Sequence, residues 1–430
     1  MPPRTRVPLL LVGAVLLASL IAPGAEAQSM RTQLRNVFHF GTCEDLICLS
    51  TSSGEHGTHY NPAAAEVAET LIDFLSNAIQ TSIANVPLGA TSSGTIFELD
   101  PSGIPIATSG SAGPVVGERS QTLGRSRLLI GANFTGGSFN TLRGVPLSDL
   151  ALTLTHEDND PPGLGNPTFE RDTIHIATSL EASIKALSVY ATYGLTNRID
   201  IGVAVPIVSL DIDGSSIGTI VNTAGFPHHF WGGDFASPIL VDTTGSQGSV
   251  TGIGDIAARI KFNLAQTARG GAAFLTEVRV PTGNQEDFLG SGSPAVRGLF
   301  VASARMGQMT PHVNAGFLWR GGREQNSAIL STVGFDGLVA PGLTIAADFL
   351  GQWQVGASRV SLPAAARYID GSLVRRTNIP VRRDDLLGAS LGAKYLVGGG
   401  FIAVANALLP LDDNGVRPSL LWTFALERSF

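Results

Sequence analysis

From residue 126 onward the chain is a succession of segments with period-2 polarity, and the connections between them alternate in length. Twelve segments are legible: 126–137, 174–193, 197–212, 252–266, 271–282, 294–307, 309–320, 327–338, 342–355, 384–397, 400–410 and 417–430. Short connections fall at Gly194–Thr196, Thr267–Gly270, Gln308, Val339–Pro341 and Gly398–Gly399. Long ones fall at 138–173, 213–251, 283–293, 321–326, 356–383 and 411–416. A sandwich around a soluble core has no reason to sort its connections this way. Outer-membrane barrels do, with tight periplasmic turns, longer outer loops and an even strand number. Counting back from a periplasmic Phe430 puts every long connection outside and residue 126 in the periplasm. "DLALTLTH" at 149–156 is a candidate further strand, which makes fourteen the alternative count.

The segments carry the two faces such a wall needs. Ile256, Ala258, Ile260, Phe262 and Leu264 alternate with Asp255, Arg259, Lys261 and Asn263. Val313, Ala315, Phe317 and Trp319 alternate with His312, Asn314 and Arg320. Successive strand residues point to opposite faces, so each segment has one apolar and one polar surface. The last twelve residues, "SLLWTFALERSF", follow the same rule and end on an aromatic. They suit a closing strand with Phe430 at the membrane interface, where barrel-assembly machinery is expected to read the terminus.

The rest of the sequence is compatible with export. Arg4 and Arg6 precede an uncharged apolar run, Val7 to Ala22, and the small-x-small site Ala25-Glu26-Ala27. This reads as a cleaved signal peptide over 1–27. The rival, an N-terminal membrane anchor, needs a longer run of about 20 residues. Without those residues 26 basic side chains face 34 acidic ones. There is no basic run and only three lysines occur, so nucleic acid is not an expected partner. Charged residues are 15% of the chain, against about 25% in average soluble domains. The best later candidate for a membrane helix, Tyr395 to Leu411, is broken by Gly398-Gly399-Gly400 and contains Asn406. A backbone crossing lipid must be helical or a closed barrel. The expected class is therefore all-β, a transmembrane antiparallel barrel in the outer membrane. Its partners would be outer-membrane lipid and lipopolysaccharide.

Residues 28–125 differ from the barrel region 126–430. Val67, Leu71, Phe74, Leu75, Ile79 and Ile83 form one stripe at helical spacing, with Pro87 just beyond. This amphipathic helix is expected to plug the barrel or lie against its periplasmic mouth. Cys43 and Cys48 are expected to pair in an oxidising compartment. A metal site with His39, His56 and His59 is the rival reading, though the spacing matches no zinc pattern.

Three stretches carry a resemblance: "YGLTNRIDIGVAVPIV" (193–208), "GIGDIAARIKFNL" (252–264) and "EVRVPTGNQEDFLGSGSPAV" (277–296). Over about 126–430 the chain resembles the outer-membrane barrel proteins linked to the meta-pathway of phenol degradation. These are similar to the long-chain fatty-acid transporter group. The resemblance implies passage of hydrophobic or aromatic small molecules across the outer membrane. Asn61-Pro62-Ala63 is similar to a tripeptide in the plug of the fatty-acid transporters. The cysteine pair and the long helix have no counterpart in that plug.

If the apolar faces meet lipid, Arg198, Asp200, Asp255, Arg259, Lys261, Glu277, Arg279, His312, Asp348 and Lys394 face the lumen. Their mixed signs fit either a structural ion-pair filling or the lining of a narrow polar passage, and not a wide general porin. Pro206 and Pro281 are candidates for breaks in the wall, because proline removes a ladder donor. "FPHHFWGGDF" (226–235) places Phe226, Phe230, Trp231 and Phe235 around His228 and His229 in a long loop. That cluster reads as the core of a folded lid or as a receiver of apolar ligands. Gly-x-Ser-x-Gly occurs around Ser216 and Ser390, but neither lies on the strand-to-helix turn that a nucleophile needs. No cofactor or metal motif is present. The expectations are a passive channel or, alternatively, a non-transporting structural or adhesive barrel with a filled lumen. A surface hydrolase is the third reading.

Overall fold

The structure, a computed structural model, describes residues 28–430 apart from 42, 52–60, 85–96, 100–104, 108–110, 159–162, 167–169, 224–227, 268, 324 and 360. The leader at 1–27, Phe226, His56 and His59 lie outside the described residues, as does the Ile83 side chain.

Fourteen longer strands organise the described chain: β1 (Leu128–Leu142), β2 (Leu150–Thr155), β3 (Thr173–Gly194), β4 (Ile199–Val221), β5 (Val241–Ile253), β6 (Ile256–Thr267) and β7 (Gly270–Val280), then β8 (Ala295–Ala304), β9 (Met309–Arg320), β10 (Ala328–Ala340), β11 (Leu343–Gln354), β12 (Leu386–Gly398), β13 (Phe401–Pro410) and β14 (Leu421–Ser429). Twelve of them close an antiparallel ring. β1, β3 and β4 are followed by β6 through β14, and β14 pairs back onto β1. Closure leaves the wall no unpaired edge, which hydrocarbon requires. Chain neighbours pair throughout, joined at one end by tight turns and at the other by long loops.

The two strands outside the ring explain the alternative count of fourteen. β2 pairs with the upper part of β3, at Thr173–Thr178, and is bridged on its other side to Thr377. β5 pairs only with the upper part of β4, at Ile207–Thr219. Together β2, β3, β4 and β5 form a four-stranded sheet that rises from the long-loop end. β3 and β4, 22 and 23 residues long, run through both wall and sheet.

Along β3 the polarity of the two faces inverts. Leu187, Val189 and Tyr193 are exposed on the outer face, while Ser188, Tyr190 and Thr192 are buried within. Higher up, the same outer face shows Lys185, Ser183 and Glu181, and the inner face buries Ile184, Ala182, Leu180, Ile176 and Ile174. The register continues unbroken, so the switch between Leu187 and Lys185 marks where the outer surroundings change from lipid to water. Around the ring the outer face stays apolar: Phe300, Phe349 and Phe424 are each more than half exposed.

Two helices pack on the raised sheet. α1 (Met30–Asn36) is capped by Ser29, whose Oγ accepts from Thr32 N at 3.2 Å. α2 (Asn61–Ala84) has one early amide, Ala63 N, donating to Glu157 Oε1 at 3.3 Å. Their buried residues include Leu34, Leu71, Phe74 and Ile79, and these, with Val37 just after α1, join Leu152, Leu154, Ile176 and Leu210 of the sheet in one apolar core. Full burial of each such side chain contributes about 1.5–3 kcal/mol. Of the two positions expected for the long helix, a plug or the short-turn mouth, the second is corrected. The helix lies at the long-loop end, with Phe74 under Arg143 (4.7 Å) and Gln80 Nε2 donating to Gln285 O (2.9 Å). It does not lie against the short-turn mouth. The inner face of the raised sheet offers the helix the apolar surface it needs. Cys43 and Cys48 form a disulfide just after α1.

Candidate functional site

Residues Ser111–Leu123 run across the lumen in its short-turn half and form a floor. No helix or strand holds them; inward-facing polar side chains from the strands do. Arg119 is paired with Asp336, and both are almost fully buried. Ser111 Oγ donates to the same carboxylate. Asp348 accepts from Gly117 N at 3.1 Å through Oδ2 and stands 2.6 Å from His312 Nε2 through Oδ1. Lys261 Nζ donates to Glu118 Oε2 at 2.8 Å and to Gln121 O at 3.3 Å. Ser120 and Ser303 hydroxyls lie 2.8 Å apart. Asp200 accepts from Leu123 N at 2.9 Å. Lys394 pairs with Glu427 at 3.5 Å, and Tyr190 Oη donates to that glutamate at 3.2 Å. Three of these carboxylates meet a lysine or arginine, while Asp348 faces His312 and the Gly117 amide and Asp200 is met by the Leu123 amide. A buried charge is tolerable only when paired and hydrogen-bonded in this way.

Above the floor lies a cavity of about 270 Å³. Its ceiling is made by the 281–294 and 411–418 connections, and α2 borders a smaller void beside it through Phe74, Asn77 and Ala78. One wall is charged. Arg259, Glu277 and Arg297 are direct cross-strand partners on β6, β7 and β8. In a second row, Arg279 on β7 and Arg320 on β9 flank Ala295. Glu277 receives three guanidinium groups: Arg297 at 2.7 Å, Arg279 at 3.1 Å and Arg259 at 3.3 Å. The other wall is apolar, built by Leu330, Leu350, Leu386, Leu408 and Phe139.

Among the residues expected to face the lumen, Asp200, Lys261, Glu277, His312, Asp348 and Lys394 are buried inside the ring. Arg259, Arg279 and Asp255 line the cavity. Asp255 also ties down a ceiling loop by accepting from Ser291 N (2.8 Å) and Ser291 Oγ (2.6 Å). Arg198 is different: it is exposed in the turn between β3 and β4. Sequence reasoning passed over Asp336, Glu427, Arg297 and Glu118. The first three share the inward parity of their strands and were open to the same argument. Glu118 sits in an aperiodic segment and gave no such signal.

The expected wall breaks are bulged but closed. β4 keeps its pairing with β3 through Pro206, opposite Ser188. On its other side the register slips between β5 and β6, where Gly254 N donates to Pro206 O at 2.9 Å. Pro281 follows the end of β7, and Thr282 Oγ1 bridges Gly254 O (2.7 Å) and Ile256 N (3.0 Å).

The aromatic loop is folded inward. Phe230 and Trp231 are buried; Trp231 stacks on Phe40 at 5.1 Å and donates Nε1–H to Gly218 O at 3.0 Å. Phe235 is exposed. His228 and His229 are buried nearby, with His229 Nδ1 3.9 Å from Asp172 and its ring 5.3 Å from that of His156. Burial pushes the His156 pKa down. For Asp172 burial acts upward, but His229 and the Thr223 amide (2.8 Å) outweigh it and hold the carboxyl below its usual range. Among the described residues no group of three or more potential ligands is placed to hold a metal ion. The two motif serines are engaged in packing: Ser216 with Thr178 (2.8 Å) and Ser390 with Asn406 (2.7 Å). Gly214 and Gly218 around Ser216 let α1 and its following loop approach. A Cβ at Gly214 would stand 2.7 Å from Val37, and one at Gly218 2.9 Å from Phe40.

No family model matches the chain, and no curated protein matches it. Solved barrels do. An outer-membrane channel from Pseudomonas putida F1 is 12% identical over 72% of this chain and 98% of its own, with a TM-score of 0.41. A FadL homologue of Pseudomonas aeruginosa is 12% identical over 79% and 96%, with a TM-score of 0.31. CdiB from Acinetobacter baumannii, at 7% identity over 72% and 61%, reaches 0.29. Likeness at this level says nothing of cargo, since one fold hosts many functions.

Proposed function

We propose that the protein is an outer-membrane channel for passive uptake of hydrophobic or aromatic small molecules. The observation that carries this reading is the chamber: an internal cavity with a large apolar wall, set inside a ring whose outer face suits lipid. A barrel serving only as a scaffold has no use for an apolar chamber in a lumen otherwise filled with paired charge. The sequence resemblance over 126–430 points the same way. The apolar band of the wall and the connection asymmetry favour the bacterial outer membrane, with the floor on the periplasmic side. Cargo would enter from the long-loop end and leave when the floor shifts. Floor contacts are hydrogen bonds and ion pairs to side chains, not a sheet ladder, so they can be broken without opening the wall. In this reading the protein is not an enzyme, and the buried Phe230 and Trp231 belong to a lid core instead of a ligand receiver.

The second reading, a structural barrel with a filled lumen, is favoured by the buried ion pairs and hydrogen bonds that hold the floor. Uptake decides between them. Labelled toluene and labelled long-chain compounds are supplied to cells with intact lipopolysaccharide, with and without the protein. Faster, saturable uptake is expected for at least one class. Unchanged uptake across the panel, with the protein folded in the outer membrane, would favour the structural barrel.

A further inference from the structure

The smaller void beside the chamber, about 70 Å³, is set between α2 and the rim of β9–β12. α2 presents Phe74, Asn77 and Ala78 to it, one face at helical spacing. Asn326, Ser358 and Asp384 border it and are only half-buried, so its outer end meets water. Arg143 fixes its shape. The guanidinium is almost fully buried, holds Asp384 through Nε (2.8 Å) and Nη2 (2.7 Å), and covers the Phe74 ring at 4.7 Å. A two-point pair of this kind sets orientation as well as distance. Helix and rim are thereby held by one side chain. Five residues line both this void and the chamber: Arg320, Gln325, Gln352, Leu386 and Val416. Val416 shares an apolar cluster with Phe74, and Leu408 of the chamber packs against that cluster. Among the polar members, Arg320 Nη1 donates to Asn326 O at 2.7 Å and Gln325 Nε2 to Ser291 O at 3.5 Å. Gln352 is different. It stands between Leu330 and Leu386, its direct cross-strand partners, two residues above Leu350 on the same face of β11. Its side chain makes no hydrogen bond among the described residues.

We infer that cargo enters the chamber beside α2, through this outer void, and that Gln352 is the side chain at the neck that sets the size admitted. This rests on the channel reading and supplies its entry. An apolar molecule passes from the Phe74 face over Val416 and Leu386 to the leucine wall, and each step keeps part of its surface out of water. Gln352 can swing aside without giving up a hydrogen bond. Arg320 and Gln325 would each have to break one, and a buried donor left without its partner is costly. The small side chain of Ala78 leaves the helix side of the void open.

The test is uptake of labelled toluene by cells carrying the full-length protein with Ala78→Cys, or with Glu66→Cys as a control on the exposed face of α2. Each is treated with a water-soluble methanethiosulfonate that adds a trimethylammonium-ethyl group, and the extent of reaction is read by mass. The native cysteines are paired with each other. Reaction at position 78 should slow uptake severalfold, and reduction should restore it. The control and the unsubstituted protein should keep their rates. Full uptake with position 78 completely labelled overturns the route. So does failure of the Ala78→Cys thiol to react, since the void must admit a molecule of that size. Gln352→Ala should raise naphthalene uptake severalfold relative to toluene, while Gln352→Met, similar in length, should leave the ratio near its original value. Folding is checked by heat-modifiable migration. Should Gln352→Ala not fold, Gln352→Asn, one methylene shorter, should move the ratio the same way. An unchanged ratio in a folded, shortened variant overturns the role of Gln352. Toluene uptake no faster with the unsubstituted protein than without it sinks the channel reading and the route with it. Rapid uptake that ignores the label at position 78 sinks the route alone.

Discussion

The membrane ring and the raised outer sheet are built from the same two strands, yet their interiors are opposites. Inside the ring, Asp336, Lys394, Glu427 and His312 are buried and paired, and the large apolar side chains face out. Under the raised sheet, Leu152, Ile176, Leu210 and Phe38 are buried and the charges face out. β3 and β4 pass from one regime to the other without a change of parity. Surroundings, not strand geometry, decide which face is apolar. The ring can afford a polar interior because lipid covers its apolar face, and the outer sheet, surrounded by water, needs a covering of helices. The N-terminal segment serves both, giving the sheet its helices and the ring its floor.

If this contrast is right, lesions in the two regions should differ in kind. The largest effect is expected from Asp336→Asn, which strands the buried Arg119 guanidinium. Breaking one partner of a buried pair costs about 3–5 kcal/mol. The floor should loosen while the ring persists, seen as raised ion conductance in planar bilayers with normal heat-modifiable migration. Arg119→Met added to Asp336→Asn should recover part of the loss. Next is Leu154→Ala under the outer sheet, with a cavity cost of about 2–5 kcal/mol. It should speed proteolysis of α1 and α2 without raising conductance. Gly214→Val forces a side chain against Val37 and should cost about 1–3 kcal/mol, read by the same proteolysis.

The smallest effect concerns pH. His156 is held neutral by burial, so its contribution is complete above the ordinary histidine value of about 6.5 and is lost as pH falls through its lowered folded value. Asp172, with its pKa depressed, contributes above the ordinary carboxylate value and is lost as pH falls further. Both changes act in the same direction. Proteolysis of the outer helices should therefore accelerate at pH 5 relative to pH 7.5, with the ring fragment unchanged.

The ring was largely legible in the sequence because lipid and lumen impose alternation on every strand, and the two ends of the barrel impose different connections. β5 was missed: "VDTTGSQGSVTGI" has no apolar face to read, since it pairs only with β4 and one side is covered by α1 through Gln33. The floor was invisible for a different reason. "SAGPVVGERSQTL" has no period, because its position is set by distant polar partners and not by a repeating surface. Of the chamber, Arg259, Arg279 and Glu277 followed from parity alone. Their convergence with Arg297 and Arg320 depended on strand register, which the sequence does not display. The location of α2 depended on the apolar patch formed by β2, β3 and β4, and that patch exists only once the outer sheet has formed.

The central claim is that cargo crosses the chamber when the floor moves. Ser120 and Ser303 offer a lock, because their hydroxyls stand 2.8 Å apart, one on the floor and one on β8. Uptake of labelled toluene is measured in cells carrying Ser120→Cys with Ser303→Cys, oxidised and then reduced, beside the unsubstituted protein under both conditions. Uptake should be blocked when the new disulfide forms and restored on reduction, with the unsubstituted protein indifferent to the treatment. Equal uptake with the cross-link fully formed would contradict the account.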